Sequence, residues 1–307
     1  MDSRTAHTAE HAFIGALQQI LGQTLRVRKV EHKKGANTAF IVIPQLDIDS
    51  IAKAENMVNA LIAEGRPVST RAYTTLEDAK RQNSRLRANE ERITGEARVV
   101  EIEGLDVTAC AVDHASNLKE CDFFLVTRLS RSGGEYEVDF VVGHQAKETA
   151  VSLSTKMMRV CEELGANPNT VESTARKVRS EGEASLKKLK ALSREKLACI
   201  HPVASSNVTI FKGAFAGLAD EVLQEFAGEK IASSGTIVVL ANAAGESAYF
   251  VLARSEALAL DCNKVFRETA GADGRGGGKP HFVTGVVKAD RAAEIIDRIA
   301  AGILRIN

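Results

Sequence analysis

The sequence has no excess charge of either sign: 40 Lys and Arg stand against 40 Asp and Glu. No overall positive field gathers nucleic acid from a distance, so any RNA binding has to come from local patches. Nor is there an apolar run approaching the roughly 18–20 residues needed to span a bilayer, and the opening segment from Met1 to Ala6 is polar, without a signal-peptide core. The five cysteines, Cys110, Cys121, Cys161, Cys199 and Cys262, are odd in number and widely spread. That spacing argues against a disulfide framework and for a reducing compartment. Internal repeats and low-complexity tracts are absent as well. The expectation is a soluble cytoplasmic protein with no membrane segment.

What is present is enough apolar sequence, 44% of 307 residues, to build two interiors. From His7 to Leu21, Ala12, Ile14, Ala16, Leu17, Ile20 and Leu21 recur at helical spacing and Gly22 stands at the stop position. Thr38–Pro44 reads as a buried strand and Ile51–Ala63 as a helix. The polar stretch Thr75–Glu91 reads as a helix or flap, and Ala97–Ile102, Asp122–Thr127 and Glu135–Val142 read as strands. From Ala146 to Cys199 the pattern predicts two long helices joined near Gly165–Pro168. The second carries Arg176, Lys177, Arg179, Lys187, Lys188, Lys190, Arg194 and Lys196, readable as a solvated face or as an RNA-backbone surface. Beyond His201–Pro202, strands over Asn207–Phe211, Thr236–Ala241 and Ala248–Ala253 alternate with helices over Ala214–Phe226 and Ser255–Thr269.

Two clusters carry chemistry. His7 and His11 lie four apart on the first helix, so both imidazoles leave one face about one turn apart and can share a metal ion. Cys110 and His114 repeat that spacing after the Ala97–Ile102 strand, pairing a soft thiolate with an imidazole, a combination that suits zinc. The competing reading is an inert buried thiol and ordinary surface imidazoles. The other histidines, His32, His144, His201 and His281, read as surface or packing residues, with His281 beside a glycine run.

His-x-x-x-His opening a domain, followed about a hundred residues later by Cys-x-x-x-His, resembles the editing domain shared by alanyl-tRNA synthetase, threonyl-tRNA synthetase and free-standing AlaX-type proteins. His7-Thr-Ala-Glu-His11, the Glu55–Asn59 helix and Arg98-Val-Val-Glu-Ile leading into Cys110 are similar to that family's motifs. The tail from Gly271 to Gly285, with Arg275, Gly276, Gly277, Gly278 and Lys279 at its centre, resembles the glycine-rich signature of the DHH-associated domain that ends alanyl-tRNA synthetases and long AlaX proteins. Threonyl enzymes lack that domain. The resemblance implies an α+β chain in three parts: a zinc-binding aminoacyl-tRNA editing domain over 1–145, a helical connector over 146–200 and an α/β DHH-associated domain over 201–307. It implies His7, His11, Cys110 and His114 as catalytic zinc (Zn2+) ligands, and Arg275 to Lys279 as a tRNA-binding loop. There, glycines would let backbone N–H groups approach a phosphate, and Arg275 and Lys279 would add charge.

The implied activity is zinc-dependent hydrolysis in trans of the aminoacyl ester in Ser-tRNA(Ala), with Gly-tRNA(Ala) as a second substrate. The implied partners are tRNA and a second copy of the chain in a homodimer. Two features depart from the family. Ala111, Val112 and Asp113 replace its usual Gly-Gly-Thr, which bears on the amino-acid pocket. The glycine-rich barrel that often precedes the first motif is not in this chain, which fits either a short variant or a fragment. Four protein ligands describe a closed site, whereas a catalytic zinc keeps a position open. Either one ligand is labile, or the metal orients the substrate while a free histidine or the RNA activates water. The rival readings are a non-catalytic tRNA-binding relative with a structural zinc and a deacylase for another aminoacyl substrate. A phosphoesterase is disfavoured, because no Asp-His-His cluster accompanies the glycine-rich tail.

Overall fold

The computed structural model describes every residue except 1–2, 34, 89–94, 206 and 307. It is a mixed α+β structure that divides into two compact units, Met1–Pro168 and Asn169–Asn307.

The first unit opens with α1 (Ser3–Leu21), β1 (Arg26–Lys33), β2 (Ala36–Val42) and α2 (Ile48–Glu64), with β3 (Val68–Tyr73), α3 (Leu76–Gln82), β4 (Ala97–Ile102) and β5 (Asp106–Ala109) after them. It closes with β6 (Phe124–Ser132), β7 (Glu135–Val142) and α4 (His144–Glu163). Antiparallel strands in the order β1-β2-β7-β6 form its main sheet, and β3-β4-β5 form a second. α1 and α2 bury their apolar faces with the main sheet in one core, where Phe13, Leu17, Ile41, Phe124 and Phe140 meet. α1 stops at Gly22, whose φ of 64° is left-handed and favours glycine. Asp47 starts α2 by accepting a hydrogen bond from Ser50 N at 2.6 Å. The approach of α1 to β5 depends on Gly15: a Cβ there would stand 2.9 Å from Asp106 Cβ, so glycine is what lets the helix lie against the strand.

The second unit comprises α5 (Val171–Ala198), β8 (Val203–Ala204), β9 (Thr209–Ala216), α6 (Asp220–Ile231), β10 (Thr236–Ala244) and β11 (Ser247–Arg254). It ends with α7 (Cys262–Ala270), β12 (Gly274–Lys279), β13 (Phe282–Lys288) and α8 (Ala292–Ile306). Its sheet runs β12-β13-β11-β10-β9-β8, with β9 and β10 parallel and the other neighbours antiparallel. Helices cover both faces. Ile237, Val239 and Ala241 of β10 pack in the core with α7 and α8, while Val238 and Leu240 pack in the core with α5 and α6. Burial on both sides is why this strand reads as an unbroken apolar run.

Several expected elements differ. The helix expected over Ala214–Phe226 is divided: β9 pairs with β10 through Ala216, the chain turns at Gly217 (φ 71°), and α6 starts at Asp220. Sheet pairing overrides the helical period there. Only the second half of Ser255–Thr269 is helical, because Asp261 caps α7 by accepting from Asn263 N and Lys264 N. α3 ends at Gln82, and residues 89–91 of the expected Thr75–Glu91 segment lie outside the described residues. β1 and β3 carry no clear alternation, and β5 is four residues long with its polar Asp106 and Thr108 turned inward, so periodicity does not reveal them.

The glycine run is likewise not a loop. Gly274–Lys279 is β12, the edge strand beside β13, and a Cβ at Gly276 or Gly278 would stand 2.5 Å from Thr284 O or 2.2 Å from Phe282 O. These glycines serve close strand approach. On α5, Arg176, Lys177 and Arg179 pair within the helix with Glu172, Glu181 and Glu183, while Lys190 and Arg194 pair with Glu221 and Glu225 of α6. Those five charges therefore have the arrangement of a solvated face.

Candidate metal centre

The packing of α1 against β5 brings together two segments a hundred residues apart. His7 and His11 project from α1, and Cys110 and His114 lie just past the end of β5. One ligand atom from each of the four lies within 4.8 Å of every other, and His7 Nε2 is 3.1 Å from Cys110 Sγ. Backbone contacts hold the second segment in place: Cys110 N donates to Arg98 O at 2.9 Å. Buried Thr8, between the two helix histidines, accepts from Ala115 N at 2.9 Å and donates to Arg4 O at 2.8 Å. Asp113, one of the three residues that depart from the family pattern, pairs with Arg98 at 2.9 Å.

The donor set fits a metal. Three imidazoles and a thiolate are zinc ligands, and bonds of about 2.0–2.3 Å suit a cluster of this size. His114 Nδ1 lies 2.7 Å from Val112 O; a carbonyl can only accept, so Nδ1 carries the proton and Nε2 keeps its lone pair. That Nε2 is buried without a hydrogen-bond partner, as is His11 Nδ1, which faces Asp106 Oδ2 at 3.5 Å. The site can hold a metal ion, and its donor chemistry is consistent with zinc.

Sequence reasoning does not reach the groups around the ligands. Asp106, 5% exposed, receives Arg87 Nε and Nη2 at 3.2 and 3.0 Å and Thr108 Oγ1 at 2.5 Å, while its Oδ2 faces His11. Glu10, also buried, stands 3.7 Å from His11 Nε2. His32, read as a surface or packing residue, is exposed and is not among the clustered ligands. Its Nε2 nevertheless lies 3.0 Å from His7 Nδ1, a contact that spacing in the sequence does not suggest. His144, by contrast, is exposed and pairs with Glu148. Arg275 to Lys279 lie on β12 in the second unit and are not among the clustered ligands.

Electrostatics prepare the cluster for a cation. Burial alone would lower the His11 pKa, but Glu10, Asp106 and Cys110 outweigh it and raise the group to about 9. Burial likewise opposes ionisation of Cys110, yet the imidazoles of His11, His114 and His7 gathered around its Sγ, and the charge of His11, outweigh it and bring its thiol down to about 3. Arg87 and His11 overcome burial of Asp106 and hold its carboxyl far below the usual range. At neutral pH the free site is therefore a thiolate beside an imidazolium. A metal needs the lone pair of His11, so binding releases that proton, and apparent affinity rises about tenfold per pH unit until pH approaches 9. Calorimetric zinc titrations in buffers of different ionisation enthalpy should show about one proton released near pH 7; zinc uptake with no proton release would contradict this charge state.

No family model matches the chain. It is 26% identical to the alanine–tRNA ligase of Methanopyrus kandleri, an alignment that covers 96% of this chain and 34% of that protein. It is 25% identical to the alanine–tRNA ligase of Ignicoccus hospitalis, covering 96% and 32%. The chain thus spans about a third of the length of the curated relatives it matches. Among solved structures, the C-Ala domain of Aquifex aeolicus alanyl-tRNA synthetase matches 33% of this chain and 97% of that one, at 22% identity and a TM-score of 0.30, too low to bear on the fold. The similarity to alanine–tRNA ligases therefore runs along nearly all of this chain and only part of theirs. No helix among the described residues is long and apolar enough to cross a membrane.

Proposed function

We propose that the chain is a cytoplasmic zinc-dependent hydrolase that removes a wrongly attached amino acid, serine foremost and glycine second, from tRNA(Ala). The observation that supports this most is the convergence of His7, His11, Cys110 and His114 on one point in a chain similar to alanine–tRNA ligases. We assign residues 1–145 to editing, 146–200 to a helical connector, and 201–307 to a domain whose β12, with Arg275 and Lys279, meets tRNA. Because β12 is an edge strand, this contact would use its exposed rim and two cations rather than a phosphate-wrapping loop.

The reaction adds water across an ester. The water oxygen bonds to the acyl carbon, the bond to the ribose oxygen breaks, that oxygen takes a proton, and the amino acid leaves. Zinc bound in the cluster supplies Lewis acidity toward the ester carbonyl and toward a water molecule. His7, His11, Cys110 and His114 would hold it, and Asp106 faces His11 from behind at 3.5 Å. Thr8 keeps the Cys110–His114 segment against α1, so the donor atoms stay grouped when the substrate enters. Asp113 and Arg98 fix the intervening residues, where the amino-acid pocket would be lined. Serine differs from alanine by one hydroxyl, and a site that bonds it can reject the analogue lacking it by about 10⁴-fold.

The test is deacylation of Ser-tRNA(Ala), Gly-tRNA(Ala) and Ala-tRNA(Ala) by the zinc-loaded protein. The expected order is serine first, glycine second, and alanine spared. Equal inertness toward all three with zinc still bound would instead support a non-catalytic tRNA-binding relative with a structural metal, the reading that four protein ligands favour. Hydrolysis of a different aminoacyl ester would keep the chemistry and reassign the pocket.

A further inference from the structure

We propose that His32 and Asn37 are positioning residues that fix His7 with Nε2 as its metal-binding nitrogen, an inference that rests on the metal-centre reading. The two lie directly opposite each other in the β1–β2 hairpin, and Asn37 is also opposite Phe140 across the β2–β7 pair. Asn37 is 1% exposed, an expensive place for an amide unless it is bonded.

Hydrogen-bond direction propagates along this line. The carbonyl oxygen of Phe140 can only accept, so the atom of Asn37 that meets it at 3.2 Å is the Nδ2 donor. That leaves Asn37 Oδ1, an acceptor, toward His32 Nδ1 at 2.8 Å, and His32 Nδ1 must therefore carry a proton. With its proton on Nδ1, His32 offers the Nε2 lone pair, which accepts from His7 Nδ1 at 3.0 Å. With its own proton committed to His32, His7 has the lone pair of Nε2 for a metal once one is bound, at the nitrogen that lies 3.1 Å from Cys110 Sγ. A backbone carbonyl in a central strand thus selects, through two side chains, which nitrogen of a candidate ligand is free.

Of the other two histidines, His11 faces buried Asp106 at 3.5 Å and His114 meets Val112 O on its own exposed loop. For His7 the residue at the second nitrogen is His32, which is exposed on β1. The three arms together set an acceptor before the second nitrogen of each imidazole, at 3.5 Å and short of a hydrogen bond for His11, as suits ligating histidines.

The experiment measures zinc affinity of the full chain by chelator competition for wild type, His32→Ala and His32→Gln, with the His7 tautomer read by long-range ¹⁵N–¹H NMR on the zinc-loaded protein. His32 is exposed, so the variants should fold, and circular dichroism melting checks this. His32→Ala is expected to weaken zinc binding about 10–100-fold. His32→Gln, whose amide oxygen can still accept from His7 Nδ1, should recover most of the loss, and NMR should place the His7 proton on Nδ1. Wild-type zinc affinity in His32→Ala, or a His7 proton on Nε2 in zinc-loaded wild type, overturns the positioning role and leaves the metal centre standing. A wild-type protein that holds no zinc overturns both.

Discussion

Replacing Cys110 by alanine is expected to strip the protein of zinc and to cut deacylation of Ser-tRNA(Ala) by more than about 100-fold, beyond the cost of losing an outer-shell partner. Cys110 supplies the one formal negative charge among the four donors, its thiol held down to about 3 by three histidines. Without it a dication would face three imidazoles, with Asp106 already engaged by Arg87 and Thr108 and unable to serve as a replacement ligand. The fold should survive, because Cys110 is only partly buried at the rim of the core and alanine leaves a small gap. Metal content by plasma mass spectrometry, with a thermal melt beside it, separates the outcomes. Zinc retained at one per chain in Cys110→Ala would remove this cysteine from the centre, while zinc lost with deacylation unchanged would make the metal structural.

Residue spacing makes the ligands legible and leaves their surroundings hidden. Two residues four apart on a helix share a face whatever the tertiary fold, so His7 and His11 can be paired from sequence alone. Cys110 and His114 are on no helix, and tertiary contacts, α1 against β5 at Gly15 and Thr8 with Ala115 N, bring them to the other pair. Asp106, Arg87 and Thr108 cannot be read in this way, since they come from a short strand and a loop with no periodicity. His32 is hidden for the same reason: its link to His7 passes through a hairpin register that its charged sequence, Arg26–Lys33, does not announce. In the second unit the run Thr236–Ala241 is readable because a strand buried on both faces is apolar throughout. The glycine run misleads, because glycine serves a phosphate loop and a close strand contact equally well, and only the position of Thr284 O and Phe282 O distinguishes them.

The support behind His11 should also carry a large share of the stability of the first unit. Arg87 and Asp106 form a two-pronged pair with side chains only 15% and 2% exposed. Removing one partner from a buried pair leaves the other charge without compensation and costs about 3–5 kcal/mol. Arg87→Met is therefore expected to lower the calorimetric transition of the unit that contains it by roughly 6–20 °C, at about 2–4 °C per kcal/mol for a unit of this size. The direction with pH comes from Asp106, whose folded pKa is depressed. Its stabilisation is fully present above the unfolded carboxyl pKa and is lost as pH falls through the folded value, so wild type and Arg87→Met should converge in acid. Replacing both residues, with Asp106→Leu added to Arg87→Met, should restore much of the lost stability, because two apolar groups need no compensation. The double variant would still lack the carboxylate that orients His11, so its zinc affinity should stay low while its melting temperature recovers. A double variant that regained zinc affinity with stability would mean that Asp106 supports the fold alone and has no part in holding His11 for the metal.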